Sequence, residues 1–355
     1  MEKSRRDIRA LSLDELRRFF TSHSLPAFKG NQVYEWLWNK GSRDFLGMTN
    51  LSKSHRSLLE EHFVINHIAV DQLQRSDDGT IKNAIRLHDG YLVESVLIPT
   101  DTRSTACVSS QVGCSLDCHF CATAKLKRMR NLNPDEIYDQ VVEIDKQSQL
   151  YYNRPLTNIV FMGMGEPLMN YKNTLTAIEK ITSPDGLGMS PKRITVSTSG
   201  ITKIIREISD QNPKFKLAVS LHSAIEETRN RLMPFTKSFP LDQLLEALKY
   251  WYKKTKSQVT FEVVVWKDIN DKQADIDALV AYCKQVPSKV NLIEYNAIGD
   301  NQFVQASPDA ISAYTTALEN NRISVTVRRS RGKDIDAACG QLANKKNEFT
   351  HGQDV

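Results

Sequence analysis

Apolar positions over residues 1–62 recur every three or four residues, the spacing of helices with one buried face. Ser12-Leu13-Asp14-Glu15 reads as a capping box opening a helix to about His23, with Leu13, Leu16, Phe19 and Phe20 inward. Pro26 interrupts the pattern, and a second helix follows with Val33, Trp36, Leu37 and Trp38 on its apolar side. Ser52 suits the cap of a third helix, carrying Leu58 and Leu59. The tryptophans fit helix-core packing better than base stacking. This predicts a small helical domain over 1–62.

The period changes after residue 62. Phe63 to Leu73, Ile81 to Leu87 and Tyr91 to Ile98 read as strands, with Asp78-Gly79 and Asp89-Gly90 as the turns between them. A three-stranded meander over 63–98 therefore links the helical unit to the remainder, 99–355. There, short apolar runs lie at Ala106–Ser110, Asn158–Met162, Arg193–Ser197, Lys216–Leu221, Gln258–Val265 and Val290–Tyr295. Helical stretches follow them near 134–148, 171–181, 201–210, 240–255, 271–284 and 308–320. Apolar strands without alternation are parallel strands covered on both faces. Ile323–Arg328 offers one more. The prediction is an α/β chain with a partial (β/α)6 barrel whose site lies at the C-terminal strand ends; a doubly wound sheet accounts for the same composition.

Length and charge narrow this picture. A chain of 355 residues exceeds one usual core, so a large and a small domain are expected. Lys and Arg outnumber Asp and Glu 47 to 42, a mild excess that suits a nucleic-acid partner without demanding one. Its distribution says more. Lys125, Lys127, Arg128 and Arg130 form one basic run, and Arg328, Arg329, Arg331 and Lys333 another. Each run fits phosphate contacts or a solvated surface equally well. The charged N-terminus has no signal-peptide apolar region, and no run reaches membrane-span length. A cytoplasmic protein with no membrane partner is expected, and six cysteines are too few for a disulfide scaffold.

Three of those cysteines lie in nine residues, Gly113-Cys114-Ser115-Leu116-Asp117-Cys118-His119-Phe120-Cys121. Thiolates at this CxxxCxxC spacing suit three corners of a cubane iron–sulfur cluster, leaving one iron open to a ligand. A Cys3His zinc site recruiting His119 is the competing reading. After the second core strand, Met162-Gly163-Met164-Gly165-Glu166-Pro167 offers glycines for close backbone approach and an acid for a ligand ammonium. Ser197-Thr198-Ser199-Gly200 and Ser220-Leu221-His222-Ser223 end the next two strands, and Asn296 closes Asn291-Leu292-Ile293-Glu294-Tyr295-Asn296. His222 suits a base or a satisfied structural histidine. Cys107 and Cys339, the latter followed by Gly340, read on composition alone as buried thiols, and Cys283 as structural.

Taken together, CVSSQVGCSLDCHFCATA, FMGMGEPLMN, STSG, SLHS, RLMP, NLIEYN and DIDAACGQL resemble, in family order, the RlmN branch of the radical S-adenosylmethionine (SAM) RNA adenine-C2 methyltransferases. The resemblance implies a radical SAM barrel, a [4Fe–4S] cluster on Cys114, Cys118 and Cys121, and SAM held by Gly165, Glu166, Ser197, Ser220, Leu221, His222 and Asn296. It implies that Cys339 is methylated and that a SAM-derived 5′-deoxyadenosyl radical removes a hydrogen from this methyl. The carbon radical then joins C2 of adenine. Glu94 is the implied proton acceptor, otherwise a strand-surface acid. Cys107 is implied to release the RNA through a disulfide with Cys339. The implied substrates are 23S rRNA and adenine 37 of tRNAs, with a flavodoxin-type electron donor and a monomeric enzyme. The related C8 branch shares these cysteines but usually has alanine where this chain has Pro167, which favours C2. Ala297 and the segment Glu262–Trp266 depart from the family pattern. Radical chemistry on a non-RNA substrate is disfavoured by the pairing of Cys107 with Cys339.

Overall fold

The computed structural model describes residues 5–299 and 302–344. Helices α1 (Leu13–Ser22), α2 (Phe28–Trp38) and α3 (Lys53–His62) form the N-terminal unit. The capping box at its start is complete: Ser12 Oγ accepts from the Glu15 amide at 3.2 Å, and Glu15 Oε2 accepts from the Ser12 amide at 2.7 Å. Leu16, Phe20, Val33, Leu37, Trp38 and Leu59 are buried. Trp36 packs against this core from its rim: it is half-buried, and its indole Nε1 donates to Asn50 Oδ1 at 2.6 Å near the surface. Trp38 is the core tryptophan, edge-on to Tyr138 at 5.2 Å.

Ten strands then build one sheet: β1 (Ala69–Arg75), β2 (Ile81–Arg86), β3 (Leu92–Pro99), β4 (Ser104–Cys107), β5 (Asn158–Phe161), β6 (Ile194–Thr198), β7 (Lys216–Ser220), β8 (Val259–Val264), β9 (Ser288–Ile293) and β10 (Ser324–Arg328). Each strand lies beside its sequence neighbours. β1 to β4 pair antiparallel and β4 to β10 parallel. Phe63–Val64 does not begin the meander as expected; it pairs with Arg6–Asp7, and β1 starts only at Ala69.

Helices α4 (Pro134–Tyr152), α5 (Tyr171–Thr182), α6 (Thr202–Asp210), α7 (Glu226–Leu232), α8 (Leu241–Thr255), α9 (Gln273–Cys283) and α10 (Pro308–Asn320) connect the parallel strands. Six β/α units and a closing seventh parallel strand thus form a partial barrel. Pro134 and the Asn133–Glu136 capping box start α4, and Asn153 ends it in the left-handed conformation at φ 50°. The N-terminal unit docks on α4, where buried Arg9 reaches Asp139 at 2.7 Å and Asp135 at 3.1 Å.

After β10 the chain does not stop at its own edge of the sheet. Residues 331–344 cross to the meander at the opposite edge. The Gly332 amide donates to Asp78 Oδ2 at 2.9 Å, Ser76 Oγ to Asp334 Oδ1 at 2.6 Å, and Asn344 Nδ2 to the Leu92 carbonyl at 2.7 Å. This strap carries Cys339 over the mouth of the open barrel.

Candidate active site

The cysteine loop follows β4 and is shaped by Gly113. Its φ is +72°, and a Cβ there would stand 2.4 Å from the Lys127 carbonyl oxygen, so the loop can fold back only on glycine. The Leu116 amide donates to Cys114 Sγ at 3.4 Å, and the Cys121 amide to the Cys118 carbonyl at 3.1 Å. Phe120 packs on His222 and Trp266, ring centroids 4.6 and 5.0 Å away. Leu232, Met233, Val264 and Ile293 complete this apolar seat.

Cys114, Cys118 and Cys121 all line one cavity of about 1080 Å³, its open mouth included. Burial, then the neighbouring cysteines, pushes the Cys118 thiol well above its ordinary range; Cys114 is pushed up to about 11. Three thiolates can share this apolar wall only if a cationic group neutralises them. Among the described residues no three Cys, His, Asp or Glu side chains converge on a single metal ion. His119 is exposed and lines a separate surface dent, not the cavity. The donor set therefore fits a multi-iron cluster, which presents a different iron to each sulfur, and does not fit the Cys3His zinc site.

Opposite the cysteines, Glu166 accepts the Leu168 amide on Oε1 at 2.9 Å and the Ser199 amide on Oε2 at 2.8 Å. Burial raises its pKa, and these amides oppose the shift. Gly165 lines the cavity too, but its glycine is required from behind. Its φ is +92°, and a Cβ would stand 2.5 Å from that of Gln111. The close approach inferred for this motif is thus to the chain's own β4 loop.

Ser197 and Ser220 reach the cavity from the ends of β6 and β7. Leu221 does not: its side chain is wholly buried, and its amide donates to the Glu262 carbonyl at 3.0 Å. Asn296 lines the cavity with Nδ2 donating to the Cys339 carbonyl at 3.2 Å, while its buried Oδ1 has no partner. An unpartnered acceptor in this wall suits an amino or hydroxyl donor on a ligand.

His222 is a cavity residue with a decided protonation state. Burial, and then the Arg229 guanidinium, pushes its pKa down to about 3. Nδ1 accepts from the Val264 amide at 3.2 Å, so the neutral ring carries its proton on Nε2 and acts as a donor. An unfolded histidine titrates near 6.5, so acid favours the unfolded chain. The associated stability is complete above about pH 6.5 and lost as pH falls toward 3, roughly 5 kcal/mol in all. Asparagine tolerates the backbone φ of +58° at this position. His222→Asn is therefore expected to flatten the fall in unfolding midpoint between about pH 6 and 4; an unchanged slope would assign the acid sensitivity elsewhere.

Arg229 and Glu262 are site residues that sequence reasoning missed. Arg229 is fully buried and donates to the Ser220, Leu221 and Ser199 carbonyls at 2.9, 2.6 and 2.7 Å. One guanidinium thus ties the ends of two strands under the cavity floor. Arg229→Met removes the donor from one buried and two part-buried carbonyls and should cost about 3 kcal/mol in chemical denaturation. An unshifted denaturation midpoint would refute this role. Glu262 lines the cavity and faces Arg328 at 3.5 Å.

Cys339 lines the cavity and is exposed there, yet protein surrounds it closely enough that burial pushes its thiol up to about 11, against the opposing pull of Arg328. Cys107, at the end of β4, is buried and is not part of the cavity lining. Burial, then proximity to Cys339, pushes it up to about 12. The expected Cys107–Cys339 disulfide is absent: all six cysteines are free, and both partners favour the protonated thiol. Glu94 also lies outside the lining. It is buried in β3, and its Oε2 accepts the Ala343 and Asn344 amides at 2.8 and 3.2 Å.

Most of the two basic runs is engaged internally, Arg128 donating to Asn131 Oδ1 at 3.3 Å. Arg130 binds Asp89 and Glu136, Arg328 faces Glu262, Arg331 donates to the Asp78 carbonyl, and Lys333 binds Glu294. Lys127, Arg128 and Arg329 are exposed.

Comparison with known proteins accounts for this combination. Residues 108–280 match the radical SAM superfamily, and residues 7–65 match the ribosomal RNA large subunit methyltransferase N-terminal domain. The chain is 69% identical over 346 residues to the probable dual-specificity RNA methyltransferase RlmN of Flavobacterium psychrophilum, covering 98% of this chain and all of that one. It belongs to the RlmN family. The dual-specificity RNA methyltransferase RlmN of Geotalea uraniireducens is 40% identical, across 96% of this chain and 97% of that protein. A crystal structure of a radical SAM methyltransferase from Sphaerobacter thermophilus superposes with a TM-score of 0.88 at 35% identity, covering 95% of this chain and 99% of that one. RlmN membership thus joins the N-terminal unit and the cysteine-lined barrel in one enzyme architecture. No helix among the described residues is long and apolar enough to cross a membrane.

Proposed function

We propose that this RlmN-family enzyme methylates adenine C2 in 23S rRNA, and adenine 37 of tRNAs, by passing the carbon through Cys339. The observation carrying this reading is a cysteine on a separate strap that shares one cavity with the three-cysteine loop. A simple RNA-binding protein has no use for that arrangement. When bound, the [4Fe–4S] cluster and SAM supply a reducing electron, a methyl group and a hydrogen-abstracting radical.

The chain's own groups do the rest. Cys114, Cys118 and Cys121 hold the cluster. Glu166, Ser197, Ser220, His222 and Asn296 orient SAM, with Gly165 shaping the turn and Leu221 acting only through its backbone. His222 donates a hydrogen bond and moves no proton. The Cys339 thiolate takes the methyl and later carries its carbon to C2. Glu94 accepts the C2 proton once the strap amides release it. The Cys107 thiolate attacks the Cys339 sulfur, breaking its bond to carbon; a disulfide remains and the carbon takes up a proton. That disulfide is reduced before the next cycle.

The reading assigns residues 1–62 to an accessory RNA-binding domain, 63–98 to a linking meander and 99–355 to the radical SAM core, whose last eleven residues lie outside those described. It includes a flavodoxin-type electron donor, a monomeric enzyme and a cytoplasmic setting. The test is anaerobic reconstitution with iron and sulfide, then turnover with methyl-labelled SAM on unmodified 23S rRNA. 2-Methyladenine in the digested RNA is expected. 8-Methyladenine would overturn the position, and the absence of both cluster and SAM cleavage would overturn the chemistry.

A further inference from the structure

Lysine and glutamate are rarely buried unless paired. Lys82 in β2 and Glu94 in β3 are both buried, with Nζ 3.5 Å from Oε1. They are diagonal neighbours on adjacent strands: Lys82 pairs with Val96 and Glu94 with Ala84, so both point to one face of the meander. Neither lines the cavity. A buried ion pair adds little to stability compared with apolar residues of the same volume. Its other contacts suggest what it does.

Beyond their own pair, the two side chains bond to the strap. Lys82 Nζ donates to the Asp336 carbonyl at 3.5 Å, three residues before Cys339. Glu94 Oε2 accepts the Ala343 and Asn344 amides, four and five residues after it. Between these points, the Ala122 amide donates to the Gly340 carbonyl at 2.7 Å, and Thr123 Oγ1 to the Leu342 carbonyl at 2.6 Å. The strap is thus seated on the cysteine loop by neutral bonds and held at both ends by bonds to charged side chains, short at the Glu94 end and long, at 3.5 Å, at the Lys82 end. Asp336 itself takes the left-handed conformation at φ +52°, a turn that depends on its surroundings.

We propose that the Lys82–Glu94 pair is a two-ended clamp that positions Cys339, with Lys82 gripping the strap before the cysteine and holding the carboxylate that grips it after. Lys82 is a positioning residue, distinct from any role of Glu94 toward the substrate. Its effect on turnover rests on the methyl-carrier reading of Cys339; its effect on the strap does not.

The test is hydrogen–deuterium exchange of the full chain, read on the peptide spanning 336–344. In Lys82→Met this peptide should exchange about tenfold faster or more, while peptides from β5 to β7 keep their wild-type rates. Lys82→Arg should restore most of the protection. Glu94→Gln, which keeps volume and one acceptor, should loosen the 343–344 end and serves as the second variant if Lys82→Met does not fold. In reconstituted enzyme, Lys82→Met should lower kcat and leave the KM for RNA nearly unchanged. Wild-type exchange over 336–344 in a folded Lys82→Met would overturn the clamp, as would equal loosening of the whole sheet. A KM effect alone would overturn its action through Cys339. Faster strap exchange with no RNA methylation by the wild type would retain the clamp and reject the methyl-carrier reading.

Discussion

Cys339→Ala is expected to carry no methyl group on protein or RNA, with turnover reduced at least about 10³-fold. No other described thiol can replace it. Cys107 and Cys283 are buried outside the cavity lining, and the other three cysteines form the cluster loop. The substitution removes one exposed sulfur atom, so the unfolding midpoint should barely move. Bound iron should remain near the wild-type level, because the cluster loop is untouched. Mass spectrometry of the intact protein after incubation with methyl-labelled SAM, beside a digest of the RNA, reads both outcomes. RNA methylation at the wild-type rate would remove Cys339 from the reaction.

Cys107→Ala should fail at the other end of the cycle. On the proposed cycle it retains the carbon carrier and the cluster ligands but lacks the thiolate that would cleave the Cys339 sulfur–carbon bond. RNA is therefore expected to stay attached, at up to one molecule per chain. A slowed, nuclease-sensitive band in denaturing electrophoresis should replace free methylated product. The buried position in β4 adds a cost of about 1 kcal/mol for lost packing, too little to unfold the barrel. Multiple turnovers without an attached species would reject the resolving role.

The parts legible in the sequence were those written locally. The cysteine triplet spans eight residues, and the parallel strands announce themselves as unbroken apolar runs. Lys82 is the opposite case. Its strap partner is 254 positions away, so it looks like any lysine in a short strand. Glu94 reads equally well as a surface acid, although the strap buries it. For Gly165 the sequence gives the need for glycine but not its reason, because Gln111 is 54 residues earlier and meets it only through the fold of the β4 loop. Leu221 stands within a run of cavity residues, but strand alternation turns its side chain into the core. Arg130 and Lys333 look like phosphate ligands until the carboxylates they bind are seen.

The strap also sets an order of assembly. It follows the last strand among the described residues, and its contact with Glu94 closes a loop of 250 residues. Proteins fold from the N-terminal end as they are synthesised. The ten strands and the cysteine loop are thus made before the segment that covers them. A nascent chain ending at Arg328 has the complete sheet with its mouth uncovered. Metal loading and the final closure are then separate events in the protein's maturation, and Cys339, the proposed methyl carrier, is the last thiol delivered to the site.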